Sequence, residues 1–154
     1  MFNSVLVVCL GNICRSPVLE GMLKHYFQEN GFDNKVSSAG ITAMVGDGAS
    51  RNSITVANAR GMDITGHRAR QITADMIREH DLIFVMEDHQ QSTLEQQFPF
   101  SRGKVQTIGR FRNRQIADPY RQPLDAFERM ADNLEECLSD WTDKFWAKKN
   151  ETTV

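Results

Sequence analysis

A cysteine and an arginine near the start of the chain, Cys9 and Arg15, are separated by the five residues 10–14. A short loop of this length between a strand and a helix can turn its successive backbone N–H groups inward, which creates a binding site for an anion. The N-terminal end of the following helix adds positive potential to the same site. Because these dipoles favour thiolate over thiol, the spacing predicts a nucleophilic cysteine at the base of a phosphate-sized cup.

The residue types around Cys9 support this prediction. Arg15 carries a planar guanidinium that binds two oxygens of a phosphate at once, which a lysine cannot do. Gly11 permits close approach of the backbone to an anion, and Asn12 tolerates a left-handed turn conformation. The hydroxyl of Ser16 is placed to donate a hydrogen bond to the thiolate. A lone cysteine at a strand end is more often a small buried apolar residue, but this surrounding pattern favours catalysis.

The elements that must position this loop follow from the apolar pattern. Residues 5–8, VLVV, form the continuous apolar run that is typical of a strand buried on both faces. Ser16-Pro17 marks the start of a helix, with Ser16 expected at the N-cap. Further strands are predicted over 35–39, 81–86 and 104–108, and further helices over 53–60, 73–78, 88–98 and 124–146.

This alternation predicts a single doubly wound α/β domain with a four-stranded parallel sheet flanked by helices on both faces. The domain is expected to span residues 1–148, with 149–154 as a flexible C-terminal tail. Ligands of such sheets bind beyond the carboxyl ends of the strands. Residues 9–17 therefore lie where a binding site is expected.

Composition and charge exclude several classes of protein. The chain has a net charge of −2, whereas a duplex-binding protein usually has a basic excess, so no nucleic-acid partner is expected. No run of about 18 apolar residues is present, so no membrane insertion is expected. The three cysteines are too few for a disulfide framework and suit a reducing compartment, which predicts a cytoplasmic protein. No cluster with metal-ligand spacing accompanies the loop, and neither a metal nor a cofactor is predicted.

The stretch Val8 to Pro17, VCLGNICRSP, resembles the signature loop of the low-molecular-weight protein tyrosine phosphatases. Further matches occur in the family's order at 38–40 (SAG), 66–70 (GHRAR), 81–87 (DLIFVME) and 118–120 (DPY), so the resemblance covers nearly the whole chain. It implies an enzyme that removes phosphate from tyrosine through a cysteinyl-phosphate intermediate.

The resemblance also implies roles for individual residues. Asp118 is expected to protonate the leaving phenol and then to act as the base for water. Without the family, Asp118-Pro119 would be interpreted as a turn initiator. Ser38 and His67 are expected in the hydrogen-bond network beneath the loop, although His67 alone would be taken for a surface-turn histidine. The residues expected to contact the substrate are Leu10, Gly11, Asn12, Ile13, Cys14, Ser16, Met44 and Tyr120.

The remaining cysteines, histidines and arginines are less strongly indicated. Cys14 either forms a reversible disulfide with oxidised Cys9 or is a packed thiol, and Cys137 is expected to be structural. The arginines between 110 and 121 form either a basic flank for an acidic phosphopeptide or a solvated loop. The histidines that are expected to be exposed or helix-capping, with no role, are His25, His80 and His89.

Residues 1–3 and 118–121 fit most closely the bacterial branch of the family that accompanies capsule and exopolysaccharide export. By resemblance, the partner is the phosphotyrosine-rich tail of a membrane tyrosine autokinase. The expected state of the enzyme is a monomer or weak dimer.

Three other functions are compatible with part of this sequence pattern. Arsenate reductases share the fold and a similar loop, but they need further cysteines after the third strand, and residues 82–100 contain none. A non-catalytic phosphotyrosine-binding module would be expected to lose the nucleophile or the acid. A thiol redox protein built on Cys9 and Cys14 would need neither Arg15 nor Asp118. Turnover of an aryl phosphate distinguishes the phosphatase from the last two.

Overall fold

The computed structural model describes residues 2–147, so the predicted domain end at 148 and the predicted tail at 149–154 lie outside the described residues. The strands are β1 (Ser4–Cys9), β2 (Lys35–Gly40), β3 (Leu82–Val85) and β4 (Val105–Thr107). The helices are α1 (Arg15–Glu29), α2 (Arg51–Ala59), α3 (Ala74–Glu79), α4 (Asp88–Gln97) and α5 (Leu124–Phe145), with short 3-10 helices at Pro99–Ser101 and Arg110–Arg112. The predicted elements are confirmed, with ends displaced by one or two residues.

The strands form one four-stranded parallel sheet in the order β2–β1–β3–β4. β1 has a partner on each side, which explains why its run from Val5 to Cys9 is buried and apolar. From β1 the chain first passes to β2 on one side and then crosses to β3 on the other. The loop after β1 therefore lies at the point where the strand order reverses, which is where open α/β sheets bind ligands.

Helices cover both faces of the sheet, as predicted. Because successive side chains of a strand point to opposite faces, Val5, Val7 and Cys9 share one core with residues of α1, α2 and α5. Leu6 and Val8 face the opposite core, which they share with residues of α3 and α4. β1 is thus packed between two hydrophobic cores, and its carboxyl end carries Cys9.

The long helix α5 fixes the segment that leads to Asp118. Its buried face includes Trp141, whose ring centroid lies 4.8 Å from that of Phe84 in β3. The indole Nε1 of Trp141 donates to the carbonyl of Ile108 at 2.9 Å. Cys137 is fully buried on this helix, as expected of a structural residue.

The start of α1 differs from the prediction. The helix begins at Arg15 with Cys14 at the N-cap, and Ser16 lies inside the first turn. The hydroxyl of Ser16 cannot cap the helix because it is engaged with Cys9 and Asn12.

The prediction for His80 is corrected in part. His80 is the C-cap residue of α3, but it is buried rather than exposed. Its Nδ1 lies 2.5 Å from the carbonyl of Met76, and its Nε2 lies 2.8 Å from the Ser37 hydroxyl. Both ring nitrogens have polar partners, which makes burial of the imidazole tolerable.

Across residues 2–147, the structure contains no helix with both the length and the apolar character needed to cross a membrane.

Candidate active site

Asp118, which is far in the sequence from Cys9 and Arg15, lines the same pocket as these two residues at the carboxyl end of β1. The pocket has a volume of about 300 Å³. Thr42, which the sequence pattern did not indicate, also lines it. The predicted contact residues that line the pocket are Leu10, Gly11, Ile13, Cys14, Met44 and Tyr120.

The first half of the Cys9–Arg15 loop is held by the segment that follows β2. The backbone amides of residues 41, 42 and 44 donate to the carbonyls of residues 9, 10 and 11 at 3.0, 2.9 and 3.0 Å. This contact requires glycine at position 40, because a Cβ on Gly40 would lie only 2.7 Å from the carbonyl oxygen of Leu10.

The second half of the loop is held by His67 and by the N-terminal end of α2. The carbonyl of Asn12 accepts from His67 Nε2 at 2.6 Å, and the carbonyl of Ile13 accepts from the Ser50 amide at 2.8 Å. The carbonyl of Cys14 accepts from a hydroxyl of α2 at 2.9 Å. Because C=O and N–H point in opposite directions across a trans peptide, carbonyls held outward turn the amides of residues 10–15 into the cup. The loop is therefore an anion nest, as its spacing predicted.

Asn12 stabilises the loop through its backbone conformation and its side-chain hydrogen bonds. Its φ of 60° lies in the left-handed region, which confirms the conformation predicted for it. Its side chain accepts from the Arg70 amide at 2.9 Å and donates to the hydroxyls of Ser16 and Ser38 at 2.7 and 3.0 Å. Asn12 and Ser16 are fully buried and are not among the residues that line the pocket, and their contact with substrate stays a prediction.

Ser38 and His67 lie in the network beneath the loop, where the resemblance placed them. Ser38 donates to Glu20 Oε1 at 2.5 Å, and His67 Nδ1 lies 3.9 Å from the same carboxylate oxygen. Since a carbonyl only accepts, His67 Nε2 carries the proton in its bond to Asn12. Glu20, which the sequence pattern did not indicate, joins the two residues.

The Cys9 sulfur is buried and contacts two hydrogen-bond donors. The Ser16 hydroxyl lies 3.0 Å from Sγ, and the Ser16 amide lies 3.4 Å from it. Asn12 donates to the Ser16 oxygen, which leaves the hydroxyl proton of Ser16 free to point at the sulfur. Together with the N-terminus of α1, these donors stabilise a negative charge on Cys9.

The second cysteine of the loop has a different environment. Burial raises the pKa of Cys14 to about 11, despite an opposing effect of the nearby Ser50 side chain. Cys14 is therefore a thiol at neutral pH and is a poor nucleophile. It lines the same pocket as Cys9, and a disulfide between the two remains a prediction.

Arg15 is 2% exposed, and its guanidinium is oriented by two groups. Nη1 donates to Glu87 Oε1 and, at 2.8 Å, to the carbonyl of Ile116. Nη2 lies 3.6 Å from Asp118 Oδ2. Nε is buried and has no hydrogen-bond partner within residues 2–147. Nε and Nη2 therefore form the edge of the guanidinium that Glu87 and the Ile116 carbonyl do not occupy.

Glu87 is a site residue that the motif did not indicate. Burial raises the pKa of its carboxyl group, but hydrogen bonds and charge from Arg15 and His89 outweigh that effect, so the net pKa is lowered. Glu87 is thus a carboxylate at neutral pH and holds Arg15 in place. One feature of the sequence could have indicated Glu87. It is an acidic residue just beyond the carboxyl end of the buried strand β3, which lies next to β1 in the sheet.

The turn predicted at Asp118-Pro119 is present, and Asp118 also lines the pocket. Oδ1 of Asp118 accepts from the Tyr120 amide at 3.1 Å, which is the hydrogen bond of an Asx turn. Oδ2 faces Arg15 across the pocket. The turn therefore presents one carboxylate oxygen to the pocket that Cys9 and Arg15 also line.

The basic segment between 110 and 121 divides into two parts. Arg112 and Arg114 form ion pairs with acidic residues of α5, which favours the interpretation of a loop packed on the protein. Arg121 instead lies beside the pocket, with its guanidinium 5.2 Å from the centroid of the Tyr120 ring. Arg121 thus packs beside a residue that lines the pocket, and its contact with a phosphopeptide stays a prediction.

A larger groove of about 600 Å³ lies behind the loop, against α1 and β2. Glu20, Lys24, His67 and Arg70 are among the residues that line it, and no cysteine does. Within the described range 2–147, no group of three or more His, Cys, Asp and Glu side chains is gathered as for a metal ion. The candidate active site is the smaller pocket, which combines Cys9, Arg15 and Asp118.

Comparison with known proteins agrees with this geometry. Residues 4–151 match the family model described as low molecular weight phosphotyrosine protein phosphatase. The chain is 45% identical over 142 residues to the probable low molecular weight protein-tyrosine-phosphatase AmsI of Erwinia amylovora. The aligned region covers 92% of this chain and 96% of the relative. It is 42% identical to the low molecular weight protein-tyrosine-phosphatase Wzb of Escherichia coli K12, with 92% and 94% covered.

Among solved structures, Vibrio vulnificus Wzb in complex with benzylphosphonate superimposes with a TM-score of 0.88 at 35% identity, covering 94% of this chain and all of the other. The matched family model, the sequence identities and the shared fold agree with the pocket described above. The chain belongs to the low-molecular-weight protein tyrosine phosphatase family.

Proposed function

We propose that this phosphatase works through a cysteinyl-phosphate intermediate, with Cys9 as nucleophile, Arg15 as phosphate clamp and Asp118 as acid and base. The observation that carries the proposal is the convergence of these three side chains on one pocket, with the loop amides turned toward the same space. An anion bound there would contact the sulfur at its base and the guanidinium at its side.

In the first step the Cys9 thiolate attacks phosphorus, the S–P bond forms and the bond from phosphorus to the phenolic oxygen breaks. Asp118 gives its proton to that oxygen, because a phenolate with a pKa of about 10 is a poor leaving group at neutral pH. Charge on the transferring phosphoryl oxygens is stabilised by the loop amides and by Nε and Nη2 of Arg15.

In the second step the Asp118 carboxylate takes a proton from water as the water oxygen attacks phosphorus. The S–P bond breaks, inorganic phosphate leaves and the Cys9 thiolate is restored. The Ser16 hydroxyl, 3.0 Å from Sγ, stabilises the sulfur each time it carries negative charge.

The rim of the pocket supports an aryl phosphate as substrate. Leu10, Met44 and Tyr120 line it, and each is at least 40% exposed. Apolar and aromatic side chains around a phosphate site provide a surface on which a phenyl ring packs. A phosphotyrosine side chain is long enough to reach the base of the cup while its ring contacts this rim.

The proposed partner is the phosphotyrosine-rich tail of a membrane tyrosine autokinase of capsule or exopolysaccharide export, met in the cytoplasm. Resemblance to the bacterial branch supports this partner, and the three unpaired cysteines suit a reducing compartment. The test is release of phosphate from a purified, tyrosine-phosphorylated autokinase tail. An equal kcat/KM for an unrelated phosphotyrosine protein would contradict a dedicated partner.

Replacing Asp118 with asparagine tests the acid directly. We expect kcat/KM for phenyl phosphate to fall by about 10²-fold or more, because the leaving phenolate loses its proton donor. The loss is expected to be smaller for aryl phosphates whose phenols are more acidic, since those groups leave without protonation. Steady-state hydrolysis in EDTA across a series of leaving groups measures both effects.

A control for this experiment is Asp125→Asn, which changes a fully exposed carboxylate at the start of α5. This variant is expected to retain wild-type kinetics. An equal loss for all leaving groups in Asp118→Asn would assign proton transfer to another residue.

Glu87→Gln is expected to lower kcat/KM by about tenfold, because the amide keeps the shape of the carboxylate but not the charge that orients Arg15. It is also expected to lower the free energy of unfolding at neutral pH by about 1–3 kcal/mol. The folded-state pKa of Glu87 is lowered, so its stabilising contribution is present above the ordinary glutamate pKa and is lost as the pH falls through the folded-state value.

The stability difference between wild type and Glu87→Gln should therefore shrink in acid, which urea unfolding at a series of pH values measures. Glu95→Gln in α4, the helix that begins directly after Glu87, is the matched control. A stability difference that stays constant from neutral to strongly acidic pH would show that the carboxylate charge of Glu87 contributes nothing.

A further inference from the structure

Ser53 of α2 is a fully buried polar residue with a contact on the phosphate-binding loop. Its hydroxyl donates to the carbonyl of Cys14 at 2.9 Å. Ser50 donates its own hydroxyl proton to Ser53 Oγ at 2.9 Å. Because the Ser53 oxygen already accepts that proton, its own proton is free to point at the Cys14 carbonyl.

The Cys14–Arg15 peptide is the last of the loop, and its N–H belongs to Arg15. When the carbonyl is held outward, this N–H points into the cup, next to the guanidinium that clamps the phosphate. The neighbouring carbonyl of Ile13 accepts from the Ser50 amide at 2.8 Å, so the N-terminal end of α2 holds two successive peptides of the loop.

The helix that carries these groups is itself well supported. Val56 and Ala57 of α2 are buried in the core that also contains Cys9 and residues of α1 and α5. A hydroxyl on a packed helix positions its partner more precisely than one on an exposed loop.

Ser53 is not needed to cap its own helix. Ser50 is the N-cap residue of α2, and its hydroxyl oxygen accepts from the Ser53 amide. The hydroxyl of Ser53 is therefore left for the bond to the loop.

We propose that Ser53 is a positioning residue for phosphate binding: its hydroxyl fixes the Cys14–Arg15 peptide so that the Arg15 amide donates to the bound phosphoryl group. This inference rests on the proposed function, since it concerns the same cup. Ser53 does not touch the substrate and acts through the orientation of the loop.

The experiment compares Ser53→Ala, Ser53→Thr and a control, Thr55→Ala. Thr55 lies on the same helix, is exposed, and donates to the Arg51 carbonyl rather than to the loop. Two quantities are measured for each protein: the shift of the unfolding temperature produced by inorganic phosphate, and kcat/KM for an aryl phosphate. The phosphate-dependent shift reports binding by the folded protein, so it separates binding from stability.

We expect Ser53→Ala to bind phosphate about fivefold more weakly and to have a kcat/KM about tenfold lower than wild type. This loss is smaller than the loss of about 10²–10³-fold that follows removal of a donor that touches the reacting group. Ser53→Thr, which keeps the hydroxyl, should recover most of both quantities, and Thr55→Ala should match wild type.

A folded Ser53→Ala with the phosphate shift and kcat/KM of wild type would overturn the inference. So would an equal loss in a stably folded Ser53→Thr, or a parallel loss in Thr55→Ala. If wild type itself shows no phosphate-dependent shift and no turnover, the proposed function fails and not only the role of Ser53.

Discussion

Replacing Cys9 with serine is expected to lower kcat/KM for an aryl phosphate by about 10⁵-fold or more, as removal of a catalytic nucleophile does in other covalent enzymes. Serine has nearly the same shape, but its hydroxyl is not ionised at neutral pH, and the donors around Cys9 suit an anionic sulfur. Hydrolysis in EDTA under reducing conditions, with a sensitive phosphate assay, measures the loss.

The same variant should keep the phosphate site. The loop amides and Arg15 are unchanged in Cys9→Ser, so inorganic phosphate is still expected to raise its unfolding temperature. Cys137→Ala, which removes a thiol from the core face of α5, is the control and should retain catalysis. Residual activity in Cys9→Ser above about 1% of wild type, far more than loss of a nucleophile leaves, would place the nucleophile elsewhere.

Arg15→Lys is expected to lower kcat/KM by about 10²–10³-fold, although the positive charge is retained. An ammonium cannot present two donors to the phosphate while also donating to Glu87 and to the Ile116 carbonyl, which Arg15 does with a single nitrogen. We expect phosphate binding and the rate of the chemical step to fall together. Single-turnover kinetics alongside phosphate inhibition measure the two effects separately.

Arg112→Lys is the matched control for this prediction. Its guanidinium pairs with Asp140 and Glu136 on α5, so the change should leave turnover of aryl phosphates as in wild type. An Arg15→Lys enzyme within about threefold of wild type, far from the loss expected when a direct donor is removed, would mean that charge alone, and not the two-pronged guanidinium, holds the phosphate.

Local features of the chain were sufficient to predict the loop. The apolar run of β1, the Cys9–Arg15 spacing and Asn12 are all close together in sequence, and a strand–loop–helix unit is determined mainly by local patterns. The left-handed φ of Asn12 and the place of the loop at the sheet edge are confirmed on that basis. The start of α1 was predicted wrongly, because Ser16 fits the capping pattern while its hydroxyl is recruited by Cys9, which a local rule does not include.

Asp118 was predicted from local sequence only in part. The local pattern at 118–119 predicts a turn, and the turn exists. Only the resemblance to a family pointed to catalysis, since nothing near Asp118 in the sequence shows that its second oxygen faces Arg15.

By itself, then, the sequence determined the α/β alternation, the place of the Cys9–Arg15 loop after β1 and the left-handed turn at Asn12, because each depends on neighbours within a few residues. Only the tertiary structure decided which distant groups complete the site. Glu87 meets Arg15 because β3 pairs directly with β1, and their carboxyl ends share one edge of the sheet. Ser53 reaches Cys14 because α2 packs against α1. Such contacts depend on strand order and helix packing, which no local spacing encodes.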